Sequence, residues 1–224
     1  MLNRTQFTLL GGAVLIAAVV WLRPAPVIAS NPALAPITVS QADWAVPVDK
    51  SFNLYRMSPT LYRSALPDAK NLPVLQSLKV HTVLSFIKDD DATWLGQTSV
   101  RRLSIPLHAD RVDDADVLRV LRTLQGAEEQ GPVLMHCKHG RDRTGLMAAM
   151  YRTVIQGWSK DDAISEMRNG GFGDARDITD AMHYVEQADI GRIRQALVAG
   201  ECSTKRLSTC KITNWLQAQL ATKG

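Results

Sequence analysis

The chain has 224 residues, 46% of them apolar and 21% charged, with a formal net charge of +4 at pH 7. That length suits one globular domain plus a short targeting segment, and the apolar share supports a real core, which excludes a disordered or fibrous chain. The mild positive balance agrees with an anionic substrate, while the lack of any long lysine or arginine run argues against nucleic acid as a partner.

Residues 1–29 read as an export signal: Arg4 precedes an uncharged run from Phe7 to Leu22, and Val27-Ile28-Ala29 offers small residues suited to a signal peptidase. The run has 16 residues, short of the roughly 20 that a spanning helix needs. Cleavage after Ala29 is therefore favoured, with an uncleaved anchor ahead of Arg23 as the alternative and the sole route to a membrane. From Arg23 to Lys50 the chain carries Pro24, Pro26, Pro32, Pro36 and Pro47 without a regular apolar period, so 30–50 reads as a linker and 51–224 as the domain. Export places that domain in the periplasm.

Within the domain, Thr82 to Ile87 and Val133 to His136 are short apolar runs bounded by polar residues, and both predict buried strands. Between them Lys88-Asp89-Asp90-Asp91 reads as a solvated turn. A third strand is expected over Leu103 to Ile105. Val117, Val120, Leu121 and Leu124 recur at helical spacing, which predicts a helix from Asp114 to Glu129. Strand, helix, strand implies a parallel crossover, hence an α/β fold with a central, mostly parallel sheet flanked by helices. Leu146 to Ile155 is apolar on nearly every side, as in a helix packed centrally on the sheet. Further helices are expected over Asp161 to Arg168, Thr179 to Ala188, Ile190 to Ala199 and Ile212 to Ala221, with Gly170-Gly171 separating the first two.

The stretch joining the last strand to the central helix carries the chemistry: His136-Cys137-Lys138-His139-Gly140-Arg141-Asp142-Arg143-Thr144-Gly145. A loop running from a strand into a helix start can aim successive backbone N–H groups at one anion, and the helix dipole adds positive potential. Gly140 lets the turn close tightly. Those amides, the dipole and the neighbouring His136 favour the thiolate of Cys137, the form that attacks. Arg143 offers a planar fork able to hold two phosphate oxygens and to support the charge of a phosphoryl transition state. The Thr144 hydroxyl is near enough in sequence to hydrogen-bond the sulfur as it leaves a phosphocysteine. Lys138, His139, Gly140, Arg141 and Asp142 complete the phosphate-binding loop.

At these residues the chain resembles the protein tyrosine phosphatase superfamily, whose signature is HC, five residues, R, then S or T. Beyond the loop, NLYRMSPTLYRSALP, TVLSFIKDDD, PLHADRVDDADVLRVL, MAAMYRTVIQGWS and GGFGD look like the exported bacterial dual-specificity phosphatases related to biofilm formation. The resemblance covers about Phe52 to Trp215. It implies a cysteine-dependent dual-specificity phosphatase fold, a reaction with no metal and no cofactor, and a phosphoprotein substrate bearing phosphotyrosine, with phosphoserine and phosphothreonine as further candidates. It also suggests a partner, the periplasmic domain of a membrane diguanylate cyclase. Through Lys138 and Arg141 the loop also resembles that of phosphoinositide phosphatases, and Leu61-Tyr62-Arg63-Ser64 with the loop is similar to phosphatases cleaving inositol pyrophosphates, so an inositol polyphosphate or phosphoinositide is the alternative substrate, which export disfavours. A phosphate-binding module without turnover is the non-enzymatic alternative.

Such a reaction needs a carboxylic acid to protonate the leaving oxygen. Asp113 or Asp114 suits the cap of the helix that begins there, and Asp116 its first turn. Asp110, in His108-Ala109-Asp110-Arg111, has no such duty, and the resemblance points to the same residue; Asp113 is the second choice. Cys202 and Cys210, eight apart, suit a small disulfide loop, which leaves Cys137 as the working thiol.

Overall fold

A computed structural model describes residues 39–108, 110–174 and 178–213, all within the second of two compact units that divide at Ala33/Leu34. The expected signal segment 1–29, with its anchor alternative, lies outside the described residues, as does most of the helix expected over Ile212 to Ala221; only its approach, from 209 to 213, is described, and it is helical.

Three strands of four residues each form the middle of a six-stranded sheet: β3 (Leu61–Ser64), β4 (Thr82–Ser85) and β6 (Val133–His136), each buried along its whole length. Continuous burial is what a parallel strand covered on both faces requires, and it explains why these runs do not alternate. β6 lies between β3 and β4, parallel to both, with Ser64 and Ser85 each in register with His136. The three strands therefore end in one row, and the residue after His136 leaves the sheet from its centre. β5 (Arg101–Ser104) adds a parallel edge beside β4. On the other side β1 (Val46–Asp49) and β2 (Leu54–Arg56) continue antiparallel from β3.

The helices are unequally shared. One face carries α3 (Asp114–Glu128), α4 (Arg143–Met150), α5 (Lys160–Asn169), α6 (Thr179–Gln187) and α7 (Ile190–Val198), packed with Leu61, Leu84, Met135 and Cys137. The other carries the short α1 (Leu72–Ser77) and α2 (Ala92–Leu95), packed with Leu54, Tyr62, Val83 and Leu134. Asp113 caps α3 by accepting from the amides of Ala115 and Asp116 at 2.9 and 3.1 Å, so that acid is spent on structure as its position suggested.

Two expectations need correction. The stretch 30–50, read as a linker, ends inside the fold. Val46–Asp49 is one of the sheet's two outer strands, and the amide of the buried Ala45 donates to Glu166 Oε1 at 2.6 Å. The central helix starts earlier than its apolar run, at Arg143, and after Met150 widens into a π turn over Tyr151–Ile155. That run is also not uniformly apolar inside: Arg152 is buried there, held bidentately by Glu166 at 2.7 and 3.0 Å and stacked on Trp158 at 4.1 Å.

Candidate active site

β6 delivers Cys137 to the end of the sheet, and α4 begins six residues later, at Arg143. Between them the loop turns its carbonyls outward, and each of four is captured. Phe86 N donates to His136 O at 2.9 Å, Leu66 N to Lys138 O at 3.3 Å, Asn53 Nδ2 to His139 O at 3.0 Å and Arg63 Nη2 to Gly140 O at 2.7 Å. In a planar trans peptide the N–H points opposite to the C=O. Fixing the carbonyls of residues 138, 139 and 140 outward therefore directs the amides of His139, Gly140 and Arg141 to the inner side of the loop. That is the arrangement an anion needs, and it is made by donors from β2–β3 and their flanks rather than by the loop itself.

Gly140 has φ +74°, and a Cβ there would lie 2.5 to 2.6 Å from the Ser64 carbonyl group and the Ala65 amide. Only glycine permits both the conformation and the approach to the end of β3. Cys137 is 2% exposed and is the chain's one free cysteine, since Cys202 and Cys210 form a disulfide with Cα atoms 6.2 Å apart. Arg143 is half-buried at the first position of α4, and its Nε has no hydrogen-bond partner among the described residues. Thr144 is fully buried, and its Oγ1 is likewise unpartnered. The hydrogen bond expected from that hydroxyl to the sulfur is thus not formed in this state. Lys138 and His139 are exposed, whereas Arg141 and Asp142 are half-buried.

The loop after α5 closes one flank. Tyr55 Oη donates to Gly171 O at 2.8 Å, Asn53 Nδ2 to Phe172 O at 2.9 Å, and a Cβ on Gly173 would meet Arg141 Cδ at 2.8 Å. Asn53 thus ties this loop and the phosphate loop together through one amide.

His136 takes a different part from the one expected. Strand alternation turns its ring to the α2 side of the sheet, away from Cys137. There Nε2 lies 3.0 Å from Asp91 Oδ2, and Asp91 Oδ1 accepts from the Trp94 indole at 2.8 Å. Its hold on the site runs through the main chain at the root of the loop. The same contacts correct the reading of Lys88-Asp89-Asp90-Asp91 as a solvated turn: Asp89 and Asp90 are exposed, but Asp91 is 4% exposed and serves two buried donors.

Asp110 follows β5, so it leaves the sheet at the same end as Cys137, where parallel sheets gather their ligands. Its carboxylate is exposed, 3.7 Å from Arg111 Nε, and it caps no helix. Asp114, by contrast, accepts from Tyr184 Oη at 2.7 Å and from Thr204 Oγ1, and Asp116 pairs with Arg119 at 3.2 Å. Of the four acids after β5, Asp110 alone makes no structural bond beyond its neighbour among the described residues.

Comparison with known proteins agrees with this geometry. Residues 50–198 match the sequence model of the Tyrosine phosphatase family. Over 177 residues, 79% of this chain and 81% of the other, the sequence is 62% identical to the dual specificity protein phosphatase TpbA of Pseudomonas aeruginosa. The crystal structure of a cysteine-to-serine form of P. aeruginosa TpbA in complex with pTyr is similar with a TM-score of 0.70 and 62% identity, covering 71% of this chain and 99% of that one. The catalytic core of the PP-IP phosphatase SIW14 from S. cerevisiae shares the fold, with a TM-score of 0.58 at 22% identity over 69% of this chain and 94% of its own. With a cysteine and an arginine set about an amide-lined loop at the end of a parallel sheet, and with these relatives, the chain belongs to the tyrosine phosphatase family.

Proposed function

We propose that this chain is a protein phosphatase that hydrolyses phosphotyrosine, and also phosphoserine and phosphothreonine, through a phosphocysteine intermediate. The observation that carries the reading is the loop between Cys137 and Arg143 whose carbonyls at 138, 139 and 140 are held outward, in a chain 62% identical to a dual specificity protein phosphatase. The Cys137 thiolate attacks phosphorus, an S–P bond forms and the P–O bond to the leaving group breaks. Asp110 as the carboxylic acid gives that oxygen its proton. Arg143 and the inward amides hold the phosphoryl oxygens as charge develops on them. The Asp110 carboxylate then takes a proton from the water that attacks phosphocysteine, and the Thr144 hydroxyl, free of other partners, donates to the departing thiolate. Each group ends as it began, so the cycle is closed without a metal.

The protein acts outside the cytoplasm in this reading. Support comes from Arg4, the uncharged run from Phe7 to Leu22 and the small residues at Val27-Ile28-Ala29, and the Cys202–Cys210 disulfide suits an oxidising compartment. The periplasmic domain of a membrane diguanylate cyclase, and through it biofilm formation, is the partner that the resemblance to exported phosphatases supports.

Phosphate release from a phosphotyrosine peptide, a phosphoserine peptide and inositol hexakisphosphate, under mild reductant with EDTA, tests the reading, with Cys137→Ser alongside. Release from the tyrosine peptide that is lost in Cys137→Ser is expected. Release from the inositol compound alone would transfer the assignment to inositol polyphosphates, and tight phosphopeptide binding without release would make the chain a binding module. Asp110→Asn is expected to slow alkyl phosphates more than activated aryl phosphates; equal slowing of both would remove Asp110 as the acid.

A further inference from the structure

Among the described residues two arginines, Arg63 and Arg152, are fully buried, and they are treated differently. Arg152 is answered by both oxygens of Glu166, by Gln156 Oε1 at 2.7 Å and by Met57 O at 3.3 Å. Arg63, in the middle of β3 and 1% exposed, has no carboxylate within ion-pair distance among the described residues. It makes a single hydrogen bond, from Nη2 to Gly140 O at 2.7 Å, its Nε has no partner, and its guanidinium carbon sits 3.7 Å above the Phe172 ring. A buried cation so poorly paired is a poor way to stabilise a fold, since an apolar side chain of similar shape would serve packing as well or better.

Its placement accounts for it. Gly140 is the loop residue pressed against the end of β3, and its carbonyl is the one that must stay outward for the Arg141 amide to face in. The charged and titratable groups that face Arg63 are Glu166 on α5, Cys137 in the phosphate loop, Arg152 in the π turn and Tyr55 on β2. Glu166 is already bidentate to Arg152, so it is not free to pair with Arg63. Burial pushes the Arg63 guanidinium down to about 10, opposed by Glu166 and Cys137, so it stays charged at neutral pH.

We propose that Arg63 is a positioning residue for the phosphate loop: its buried guanidinium pins the Gly140 carbonyl outward and keeps a fixed positive charge behind the Cys137 thiolate. The inference rests on the phosphatase reading for its kinetic part, but its charge part concerns the thiol alone and is testable without turnover.

The test compares Arg63→Met and Arg63→Lys with the parent, measuring thermal unfolding, kcat and KM for a phosphotyrosine peptide, and iodoacetamide alkylation of Cys137 from pH 5.5 to 9. Cys137 is the one free thiol, so a single mass label reports it. Arg63→Met is expected to unfold cooperatively near the parent temperature, with kcat/KM down about a hundredfold, the scale of an ångström-level displacement at a reacting centre. Alkylation at pH 6 is expected to fall about tenfold while the rate at pH 9 changes little, since only the thiolate reacts. Arg63→Lys keeps the charge and not the planar fork, so it restores alkylation at pH 6 but not kcat/KM. A folded Arg63→Met that alkylates at pH 6 as fast as the parent overturns the charge role. If Arg63→Met does not fold, Arg63→Lys decides: a parent-like kcat/KM overturns the loop role, and a loss of alkylation at pH 6 overturns the charge role. A parent protein that releases no phosphate, yet whose alkylation depends on Arg63 in this way, would sink the phosphatase reading and leave this inference standing.

Discussion

Gly140→Ala places one methyl group where the phosphate loop meets β3, and its cost follows from the contacts. The new Cβ would lie 2.5 Å from the Ser64 carbonyl carbon and the Ala65 nitrogen, whereas ordinary contact begins at 3.4 Å, so the loop must withdraw by about 0.9 Å. Neither atom is the end of a flexible side chain, so the strand cannot yield instead. Holding a non-glycine residue at φ +74° costs about 1–2 kcal/mol. Withdrawal also breaks the 2.7 Å bond from Arg63, and a hydrogen bond from a charged donor contributes about 1.5–3 kcal/mol. Together these come to about 2.5–5 kcal/mol, which for a domain of this size lowers Tm by about 5–20 °C. Catalysis suffers separately, because the amides of Gly140 and Arg141 move with the loop; a displacement near 1 Å costs about a hundredfold in kcat/KM. Gly145→Ala is the control. Its Cβ would meet only Arg63 Nη2 at 3.6 Å and Met167 Cε at 3.8 Å, both ordinary contacts. It sits inside α4, where alanine gains about 0.5–1 kcal/mol over glycine. Calorimetry and phosphate release from a phosphotyrosine peptide, run on both variants at a temperature where both are folded, decide the matter. A Gly140→Ala protein with parent-like Tm and kcat/KM would refute the argument that contact with β3 holds the loop in its working shape.

Asp91→Ala strands two buried donors, His136 Nε2 and the Trp94 indole N–H, and about 1–3 kcal/mol for each group gives a fall in Tm of about 4–24 °C by calorimetry; an unchanged Tm would mean that the Asp91 contacts carry no stability. Reducing the Cys202–Cys210 bond releases a loop of sequence separation 8, which the chain-entropy relation values at about 2.5 kcal/mol. Thermal scans with and without reductant should differ by about 5–10 °C, while phosphate release at 25 °C persists because Cys137 takes no part in that bond. Burial, and then the carboxylates of Asp114 and Glu128, hold Tyr184 and Tyr151 above the usual tyrosine range. The unfolded chain ionises these phenols at their ordinary pH near 10, so the stability they contribute is complete below that pH and is lost as pH rises beyond it. Arg63 has the opposite sign, since its buried group gives up its proton earlier than in the unfolded chain, and it offsets only part of the loss. Urea midpoints should fall between pH 10 and 11, and Tyr184→Phe should make that fall shallower; an identical slope in the variant would remove Tyr184 from the account.

What was legible in the sequence was local. Cys137, Gly140, Arg143 and the strand and helix on either side lie within a few residues of one another, and their spacing alone describes a loop around an anion. Asp110 is singled out as the candidate acid because Asp113 can be recognised as a cap from its neighbours, and the resemblance points to the same residue. What could not be read were the groups that hold the loop, since Arg63, Asn53 and Asp91 reach their partners across 77, 86 and 45 residues. In sequence Asp91 looks like its neighbours Asp89 and Asp90, and only the closing of α2 over β6 turns one acid of the three inward. β1 escaped notice because an exposed edge strand containing Pro47 has no buried face to impose alternation. A signal for Arg63 did exist: an arginine set in the apolar run Leu61-Tyr62-Arg63, with no acid nearby in sequence, is out of place in a central strand.

The way the loop is held also bears on when the nucleophile comes into being. Its captors stand at residues 53–66 and at Phe86, its flank at 171–173, and Glu166 ties back across 121 residues to Ala45. A chain emerging from its N-terminus therefore carries Cys137 without the flank at 171–173 until some 35 further residues have followed it, and contacts of such sequence separation close slowly. Synthesis cut short before residue 171 would yield the signature motif intact but without the flank that Asn53 and Tyr55 hold beside it, so possession of the motif in a fragment does not by itself give the complete site.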